Sequence, residues 1–328
     1  VNAVLRKLST SSPLPRNSPD VFDSLESIAQ ALAHPLWLVE RWACEYGLAA
    51  ATEICKRNQS IPEVAARLRT AIAEEQLAET GIILAPGKLL RSARLVQVGD
   101  ITKTPQFRSR GIVIQDEASQ LVATLVGEGE NILDCCAAPG GKTLAISDRN
   151  PESTILAVDL HPHRARLLQT LLAPRTATQI KVIAADARSL PFSRQCDRVL
   201  VDAPCSGTGT LARNPEIKWR LKRDDIADLQ QRQRAILQAA MTQVASGGRL
   251  IYSTCSLERE ENEDVVEYAL KSDPLFQLVD CGPELDRLTT AGELVWPETA
   301  SLTRGPYLRT IPGIHPCEGF FAAIVQKQ

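Results

Sequence analysis

Short apolar segments alternate with helical segments from Gly111 to the end of the chain, and no other feature restricts the fold as strongly. The predicted strands of this region are Ile112–Gln115, Ile132–Cys135, Ile155–Leu160, Val182–Ala185, Arg198–Asp202 and Arg249–Ser253. Strands that alternate with helices form a mainly parallel sheet with helices on its faces. We therefore predict an α/β fold that binds its ligands at the carboxyl edge of the sheet.

The first third of the chain follows other patterns. Apolar residues recur at helical spacing over residues 23–58, and Pro35 and Gly47 bracket one helix, which indicates a small helical bundle. The next segments predicted are a helix through Ala71–Glu79 and extended pieces at Ile82–Leu84 and Ala93–Val98. We divide the chain into residues 1–59, a linker and helical bundle, residues 60–110, a small α+β subdomain, and residues 111–328, the sheet domain.

Composition restricts the compartment and the chemistry. The chain has 328 residues, 44% hydrophobic and 23% charged, as is typical of a soluble protein with a sizeable core. It has no run of about 18 apolar residues and no signal-peptide core, so we expect no membrane contact and a cytoplasmic location. Nine cysteines without a CxxC pair argue against a disulfide framework or a zinc site, and no metal is expected.

The chain begins with valine, so we expect a segment to precede it. The sequence leaves the oligomeric state open, and a monomer is the working expectation.

The segment ILDCCAAPGGKT (Ile132–Thr143) joins a predicted strand to a helix through a turn of small residues. Such a turn lets backbone amides approach a ligand closely. A nucleotide P-loop is excluded, because that motif requires glycine at position 136, where this chain has cysteine. The alternative interpretation, a tight turn that binds no ligand, is not excluded by this segment alone.

Functional side chains follow the ends of the predicted strands. Asp134, Asp159 and Asp186 each close one strand. Each alone is more often a helix cap or turn residue, but their shared place at one sheet edge indicates a cofactor that carries a nucleoside. The segments VDAPCS and IYSTCS place Cys205 and Cys255 just beyond two further strands, so two thiols are predicted at the same edge.

Three motifs, CAAPGGK, DAPCSGTG and STCS, together resemble the signature of RNA cytosine-5 methyltransferases of the Fmu/Sun/RsmB type. The resemblance extends from about Ser60 to the end and includes IQDEASQLV (Ile114–Val122) and RNPEIKW (Arg213–Trp219). The opening VNAVLRKL resembles the last helix of a NusB-like RNA-binding domain. One segment departs from the pattern, since SIPEVAARL (Ser60–Leu68) lacks an LRVN-like strand and does not support RNA contacts there.

The resemblance implies a class I methyltransferase fold with a seven-stranded, mainly parallel, Rossmann-like sheet. It implies S-adenosylmethionine as methyl donor and a cytosine of small-subunit (16S) ribosomal RNA as substrate. It also implies that residues 60–110 form an RNA-binding subdomain, apart from the departing segment Ser60–Leu68, and that residues 111–328 form the catalytic domain.

The implied chemistry needs a thiolate, because cytosine C5 becomes nucleophilic only after a nucleophile has added to C6. The resemblance assigns this attack to Cys255, the breakdown of the covalent adduct to Cys205, and protonation of N3 to Asp202. Only a few per cent of an ordinary thiol is ionised at neutral pH, so we expect a cation near Cys255, and Lys142 is the nearest candidate.

For the cofactor, the resemblance implies that Asp159 contacts the ribose hydroxyls and Asp186 the adenine. Arg164 is a weaker neighbour, and Asp202 is expected to contact the cofactor as well as the base. The methionine part is expected on Cys136, Ala137, Ala138, Pro139, Gly140, Gly141 and Lys142. The alternative for Lys142 is an exposed lysine at a helix start, although a helix N-terminus disfavours a cation that has no other function.

RNA must be met by a local basic patch, because the net charge is −2. The segment RNPEIKWRLKR (Arg213–Arg223) follows DAPCS and holds five basic residues and one acidic residue. We predict RNA contacts by Arg213, Lys218, Trp219 and Arg220; a solvated loop is the alternative.

Two other classes of function stay open. A class I methyltransferase that acts on DNA or a small molecule would bind the cofactor at the same carboxyl edge of the sheet. It would not need the STCS motif together with a basic loop. A ribosome-assembly factor without catalytic activity could keep the fold, but it does not need Cys255, Cys205, Asp202 and Lys142 together.

Overall fold

The computed structural model describes residues 22–69, 74–172, 179–190, 192 and 195–328. The resemblance of residues 1–8 to a NusB-like helix therefore lies outside the described residues. In the part of the chain that is described, no helix combines the length and the apolar character needed to cross a membrane.

Three helices form the predicted N-terminal bundle, which is confirmed: α1 (Leu25–Ala31), α2 (Leu36–Tyr46) and α3 (Leu48–Asn58). Gly47 separates α2 from α3 with a φ of 86°, a conformation that favours glycine. Trp42 and Ile54 are buried in the bundle core together with Leu211 and Leu257, which follow the two predicted cysteines in the chain. The bundle thus packs against the loops that carry Cys205 and Cys255.

A small antiparallel sheet comes next. Its region contains β1 (Val64–Leu68), α4 (Glu74–Ala78), β2 (Ile83–Pro86), β3 (Ala93–Val98), α5 (Pro105–Arg108) and β4 (Ile112–Ile114). The strand order is β2-β3-β1-β4. Residues 70–73, at the start of the helix predicted over Ala71–Glu79, lie outside the described residues, and α4 covers part of the remainder.

Two sequence predictions are wrong in this region. The segment Ser60–Leu68, predicted to lack a strand, contains β1, which lies between β3 and β4. Ile112–Gln115, predicted as a strand of the parallel sheet, instead gives β4, which pairs antiparallel with β1. The physical reason is that a short apolar segment fits either sheet, and its partner lies more than 40 residues away in the chain.

The large sheet and its helices occupy the rest of the chain. In chain order they are α6 (Glu117–Leu125), β5 (Asn131–Asp134), α7 (Gly141–Arg149), β6 (Thr154–Asp159), α8 (Pro162–Leu172), β7 (Gln179–Ala184), β8 (Cys196–Asp202), α9 (Ile217–Arg220), α10 (Arg223–Met241), β9 (Val244–Thr254), α11 (Glu263–Ser272), β10 (Phe276–Val279), α12 (Gly282–Thr290), β11 (Thr303–Arg304), β12 (Tyr307–Thr310) and β13 (Phe320–Lys327). The order is β11-β12-β13-β9-β8-β5-β6-β7, and β10 also pairs with β13. The α/β class I methyltransferase fold is confirmed.

The described sheet has nine strands instead of the predicted seven. The extra strands arise at β13, which pairs with β9 along one side. On its other side, the first half of β13 pairs with β12 and the second half pairs with β10. The five strands β9, β8, β5, β6 and β7 run parallel. Val199, Leu200 and Val201 of β8 are fully buried, as expected for a strand covered on both faces.

Strand order reverses at β5. From β5 the chain first adds β6 and β7 on one side of this strand, and it then crosses over to add β8 and β9 on the other side. A crevice forms at the carboxyl ends of the strands beside such a switch point, and ligands of open α/β sheets bind there. The loop from Cys135 to Gly140 and the segment after Asp202 both begin at this crevice. The division into residues 1–59, 60–110 and 111–328 stays a prediction.

Candidate active site

The two predicted cysteines lie side by side. Cys205 follows β8 and Cys255 follows β9, and their Sγ atoms are 3.4 Å apart, within hydrogen-bond distance for two thiols. Gly209 N donates to the Cys255 carbonyl over 2.9 Å, which ties the two loops together. Both thiols are half-buried, as is Cys136, whereas Cys55, Cys135, Cys196, Cys281 and Cys317 are buried and Cys44 is exposed.

Lys142 and Asp202 form an ion pair beside these thiols. The Lys142 Nζ atom donates to Asp202 Oδ2 over 2.8 Å, and Ser253 Oγ donates to Asp202 Oδ1 over 2.9 Å. Lys142 Nζ also lies 4.8 Å from the centre of the Phe320 ring. Burial alone lowers the pKa of Lys142, but the charge and hydrogen bond of Asp202, together with Cys255, raise the pKa above its ordinary value. Lys142 is therefore a buried cation held by acidic neighbours rather than an exposed lysine at a helix start.

The small-residue loop leads into α7 at the switch point. Gly140 precedes α7 with a φ of 112°, and a Cβ atom there would lie 2.6 Å from Leu168 Cδ1 and 2.8 Å from Leu171 Cδ2. Both facts require glycine. The first backbone N–H groups of α7 have no partner within the helix, and this end of the nine-residue helix faces the crevice beside Lys142.

Asp134 is a buried acid at the base of this loop. Its Oδ2 atom accepts a hydrogen bond from Thr143 Oγ1 over 2.7 Å. Burial raises the pKa of Asp134 to about 7, with repulsion from Asp202 in the same direction and the Thr143 hydrogen bond opposing it. The crevice thus begins with an acid that titrates near neutral pH.

Asp159 ends β6 and binds the same loop. It is buried, its Oδ2 accepts from Ala138 N over 3.3 Å, and its Oδ1 accepts from His161 N over 3.1 Å. Arg164 donates to the Ala138 carbonyl over 2.7 Å and lies 3.5 Å from Asp159 Oδ2. Asp186 lies after β7 and is bound by the Arg188 side chain over 2.6 Å, and these hydrogen bonds lower the pKa of Asp186.

In the basic segment after Cys205, some side chains are exposed and others are buried or bound to neighbouring residues. Trp219 is 63% exposed, and Arg220 is exposed beside it. Arg213 donates to the Glu63 carbonyl and forms an ion pair with Glu318, each over 2.6 Å. Lys218 is only 4% exposed, and burial lowers its pKa. Of the four residues predicted to contact RNA, only Trp219 and Arg220 are exposed, because Arg213 is held by Glu63 and Glu318 and the side of α9 that carries Lys218 packs on the helical bundle.

Several residues near the thiols escaped the sequence prediction. Ser253 belongs to the STCS-containing strand and could have been inferred from its place beside Asp202 in the next strand. Phe320 gave no sequence signal, because it reaches Lys142 from the far end of the chain. Among the described residues, no group of three or more His, Cys, Asp or Glu side chains could hold a metal ion.

Comparisons with known proteins agree with this geometry. A family model described as "16S rRNA methyltransferase RsmB/F" matches residues 122–326. The probable ribosomal RNA small subunit methyltransferase B of Bacillus subtilis is 34% identical over 343 residues, which covers 100% of this chain and 73% of that protein. The ribosomal RNA small subunit methyltransferase B of Vibrio cholerae is 36% identical over 258 residues, which covers 77% of this chain and 55% of that protein.

Solved structures show the same fold. The crystal structure of PH0851 superposes with a TM-score of 0.80 at 28% identity, over 99% of this chain and 72% of that chain. A methyltransferase homologue from Pyrococcus horikoshii has a TM-score of 0.75 at 25% identity, over 94% of this chain and 100% of its own. The chain therefore belongs to the 16S rRNA methyltransferase RsmB/F family, whose members methylate ribosomal RNA with S-adenosylmethionine as the methyl donor.

Proposed function

We propose that the protein methylates C5 of a cytosine in small-subunit ribosomal RNA, through a covalent bond between Cys255 and C6 of the base. One observation carries this proposal: two thiols lie 3.4 Å apart beside the Lys142–Asp202 ion pair, at the switch point of a methyltransferase sheet. Methylation at an exocyclic nitrogen or a ribose oxygen has no need of a thiol, because those atoms are nucleophiles themselves.

The first step is addition of the Cys255 thiolate to C6. The sulfur–carbon bond forms, the C5–C6 double bond becomes single, and electron density moves to C5. N3 takes a proton from Asp202 in this step. Both Asp202 oxygens accept hydrogen bonds in the structure, so we infer that its proton comes from Lys142, whose Nζ atom lies 2.8 Å away. Lys142 also interacts electrostatically with Cys255, the thiol that attacks.

The second step is release of the base after C5 has been methylated. Water removes the C5 proton, the electron pair of that bond restores the C5–C6 double bond, and the Cys255–C6 bond breaks to regenerate a thiolate. The proton on N3 returns through Asp202 to Lys142, which restores the ion pair. Cys205 lies within hydrogen-bond distance of the departing sulfur, so its thiol can donate to the thiolate as charge develops there. Cys205 is therefore the helper in release and Cys255 the nucleophile.

The residues of the crevice fit S-adenosylmethionine by the chemistry of their donors and acceptors. Bound cofactor supplies an electrophilic methyl group. Ribose hydroxyls need acceptors, which the carboxylate of Asp159 provides; the methionine carboxylate needs N–H donors, which the start of α7 and the loop residues Cys136–Lys142 provide. We infer that Asp186 binds the adenine, which requires the Arg188 side chain to move away from the Asp186 carboxylate.

Nucleoside analysis tests this proposal directly. The protein is incubated with S-adenosylmethionine labelled in its methyl group and either deproteinised 16S ribosomal RNA or DNA of the same sequence. The nucleic acid is then digested, and its nucleosides are analysed by liquid chromatography and mass spectrometry. We expect the label in 5-methylcytidine. Label in another nucleoside contradicts the cytosine-5 assignment. Methylation of DNA in preference to RNA supports the DNA methyltransferase alternative. Absence of methyl transfer supports an assembly factor without catalytic activity.

Asp159→Asn should weaken binding of S-adenosylmethionine by roughly ten- to a hundredfold, since hydrogen bonds to a charged group contribute about 1.5–3 kcal/mol. Isothermal titration calorimetry measures this affinity. Asp197→Asn is the matched control, because Asp197 also accepts two backbone hydrogen bonds, from Glu130 N and Asn131 N, but at the opposite edge of the sheet. Equal affinity of both variants and the wild type would remove Asp159 from the cofactor site.

Arg220→Gln should reduce the salt dependence of RNA binding, because one phosphate contact changes the slope of log K against log salt by about 0.7–0.9. Lys218→Gln should leave the slope unchanged, since Lys218 is buried against the bundle. Fluorescence anisotropy with a labelled ribosomal RNA fragment at several salt concentrations measures both slopes. An equal decrease in the two variants would show that Lys218 reaches the RNA, and no decrease in either would place the RNA elsewhere.

A further inference from the structure

A buried carboxylate lies against the two loops that carry Cys205 and Cys255. Glu261 is the last residue of a short 3-10 helix, Arg259–Glu261, and is fully buried. Burial of a charged side chain is costly unless hydrogen bonds compensate for the lost water. All the side-chain and backbone groups that compensate here are uncharged, and most belong to the loops that carry the thiols.

The Glu261 carboxylate accepts hydrogen bonds from both loops. The residue after Cys205 donates through Ser206 N, over 2.8 Å, and through Ser206 Oγ. The residue after Cys255 donates through Ser256 Oγ, over 2.5 Å. Ser206 Oγ and Ser256 Oγ also lie 3.0 Å from one another. One carboxylate thus connects the residues that immediately follow the two thiols.

Helix α10 completes this arrangement through Gln233, which is fully buried. Its Nε2 atom donates to Glu261 Oε1 over 2.9 Å and to the Pro204 carbonyl over 3.0 Å. Pro204 precedes Cys205, so the segment around this thiol is bound on both of its sides. The Glu261 backbone carbonyl also accepts from the Tyr252 hydroxyl over 2.6 Å, which links the 3-10 helix to β9.

We propose that Glu261 is a positioning residue that sets the distance and the division of roles between Cys205 and Cys255. The proposal rests on the proposed function, because it explains how two neighbouring thiols can do different things. Glu261 binds Ser206, the residue next to Cys205, and Ser256, the residue next to Cys255, so it fixes the contact between the two thiols. A buried carboxylate disfavours a second negative charge close to it, so Cys205 is kept as the thiol that donates a proton and Cys255 is left as the nucleophile.

The pKa shifts agree with this geometry. The hydrogen bond to Cys255 raises the pKa of the Cys205 thiol well above its ordinary value, and burial and the charge of Glu261 act in the same direction. The groups that face Cys205 within the protein are Cys255, Glu261 and the Tyr252 hydroxyl. Outside it, the cleft at Cys205 is lined by three acidic and two basic side chains, Glu216, Asp225, Asp228, Arg220 and Arg232. Glu261 is the buried carboxyl group of this set.

The test compares Glu261→Gln with the wild type by alkylation. The full-length protein, without RNA or S-adenosylmethionine, is treated with iodoacetamide from pH 6 to 10, and the alkylation of each cysteine is followed by peptide mass spectrometry. We expect the midpoint of the Cys205 pH profile to move to lower pH in Glu261→Gln, so that Cys205 reacts roughly tenfold faster at pH 8, as one pKa unit implies. Loosening of the loop alone would raise the rate at all pH values without moving the midpoint.

Two further variants make the result specific. Glu117→Gln is the matched control, because Glu117 is equally buried and accepts three backbone hydrogen bonds, from Lys88, Leu89 and Leu90, but none from a cysteine loop. Glu261→Asp keeps the charge and should keep the midpoint of the wild type. An unchanged Cys205 midpoint in Glu261→Gln, or the same displacement in Glu117→Gln, would overturn the proposal.

Methyl transfer gives the second readout. Glu261→Gln should lower kcat while the KM for S-adenosylmethionine stays that of the wild type, because the Glu261 carboxylate binds Ser206, Ser256 and Gln233, none of which is assigned to the cofactor. A raised KM with unchanged kcat would contradict a positioning role. Since alkylation uses neither substrate, it decides the role of Glu261 even if nucleoside analysis shows that the product is not 5-methylcytidine.

Discussion

Replacing Cys255 with alanine should abolish methyl transfer, with a loss on the order of 10⁴-fold or more, as is found when an enzyme loses its nucleophile. The reason is that C5 stays unreactive when no thiolate adds to C6. The variant should also form no RNA complex that survives denaturing electrophoresis. The measurement is transfer of labelled methyl groups to 16S ribosomal RNA, combined with gel analysis of the same reactions.

Two controls make the Cys255 result interpretable. Cys44→Ala removes an exposed thiol of the helical bundle and should leave methyl transfer unchanged. Calorimetry with S-adenosylmethionine should give the wild-type affinity for Cys255→Ala, because a disturbed sheet edge would imitate the loss of a nucleophile. Activity retained in Cys255→Ala would exclude this residue as the attacking thiol.

Replacing Cys205 with alanine should have a different effect. The adduct should form and be methylated, but release should slow by roughly ten- to a hundredfold, the equivalent of one hydrogen bond to a charged group at about 1.5–3 kcal/mol. A covalent complex between protein and RNA should therefore accumulate and appear as a slow band in denaturing electrophoresis. Cys205→Ala combined with Cys255→Ala should give no band, because no thiol remains to form the bond.

The contrast between the two single variants is the informative result. Normal turnover of Cys205→Ala would make Cys205 a structural residue. A covalent complex in Cys255→Ala, and none in Cys205→Ala, would show that Cys205 is the nucleophile and Cys255 the helper in release.

Sequence patterns predicted the parallel sheet and the residues at its carboxyl edge because both are local properties. Each strand end is visible as an apolar segment followed by an aspartate or a cysteine, and parallel pairing then brings those ends together. The contact of Lys142 with Asp202 and the pairing of Cys205 with Cys255 follow from this edge. The family resemblance added the roles of the two thiols.

Strand membership could not be predicted in the same way, because pairing joins segments that are distant in the chain. Ile112–Ile114 has the composition of a buried strand, yet its partner is β1 of the small sheet. Phe320–Lys327 follows a long irregular region and was not predicted as a strand, although it pairs with three others.

Burial of charged residues could not be predicted from the sequence either. Lys218 belongs to a basic segment and was predicted to contact RNA, but α9 turns this side chain toward the bundle and leaves Arg220 outside. Glu261 lies six residues after Cys255 and gave no signal, because only the folded chain shows that its donors come from both cysteine loops.

Mapping the covalent bond in the Cys205→Ala complex tests the central claim most directly. The complex is digested with nuclease and protease, and tandem mass spectrometry locates the nucleotide on the peptide. The proposed mechanism predicts a methylated cytidine nucleotide attached to the peptide at Cys255. A nucleotide on another residue, or an attached nucleotide that is not a cytidine, would contradict it.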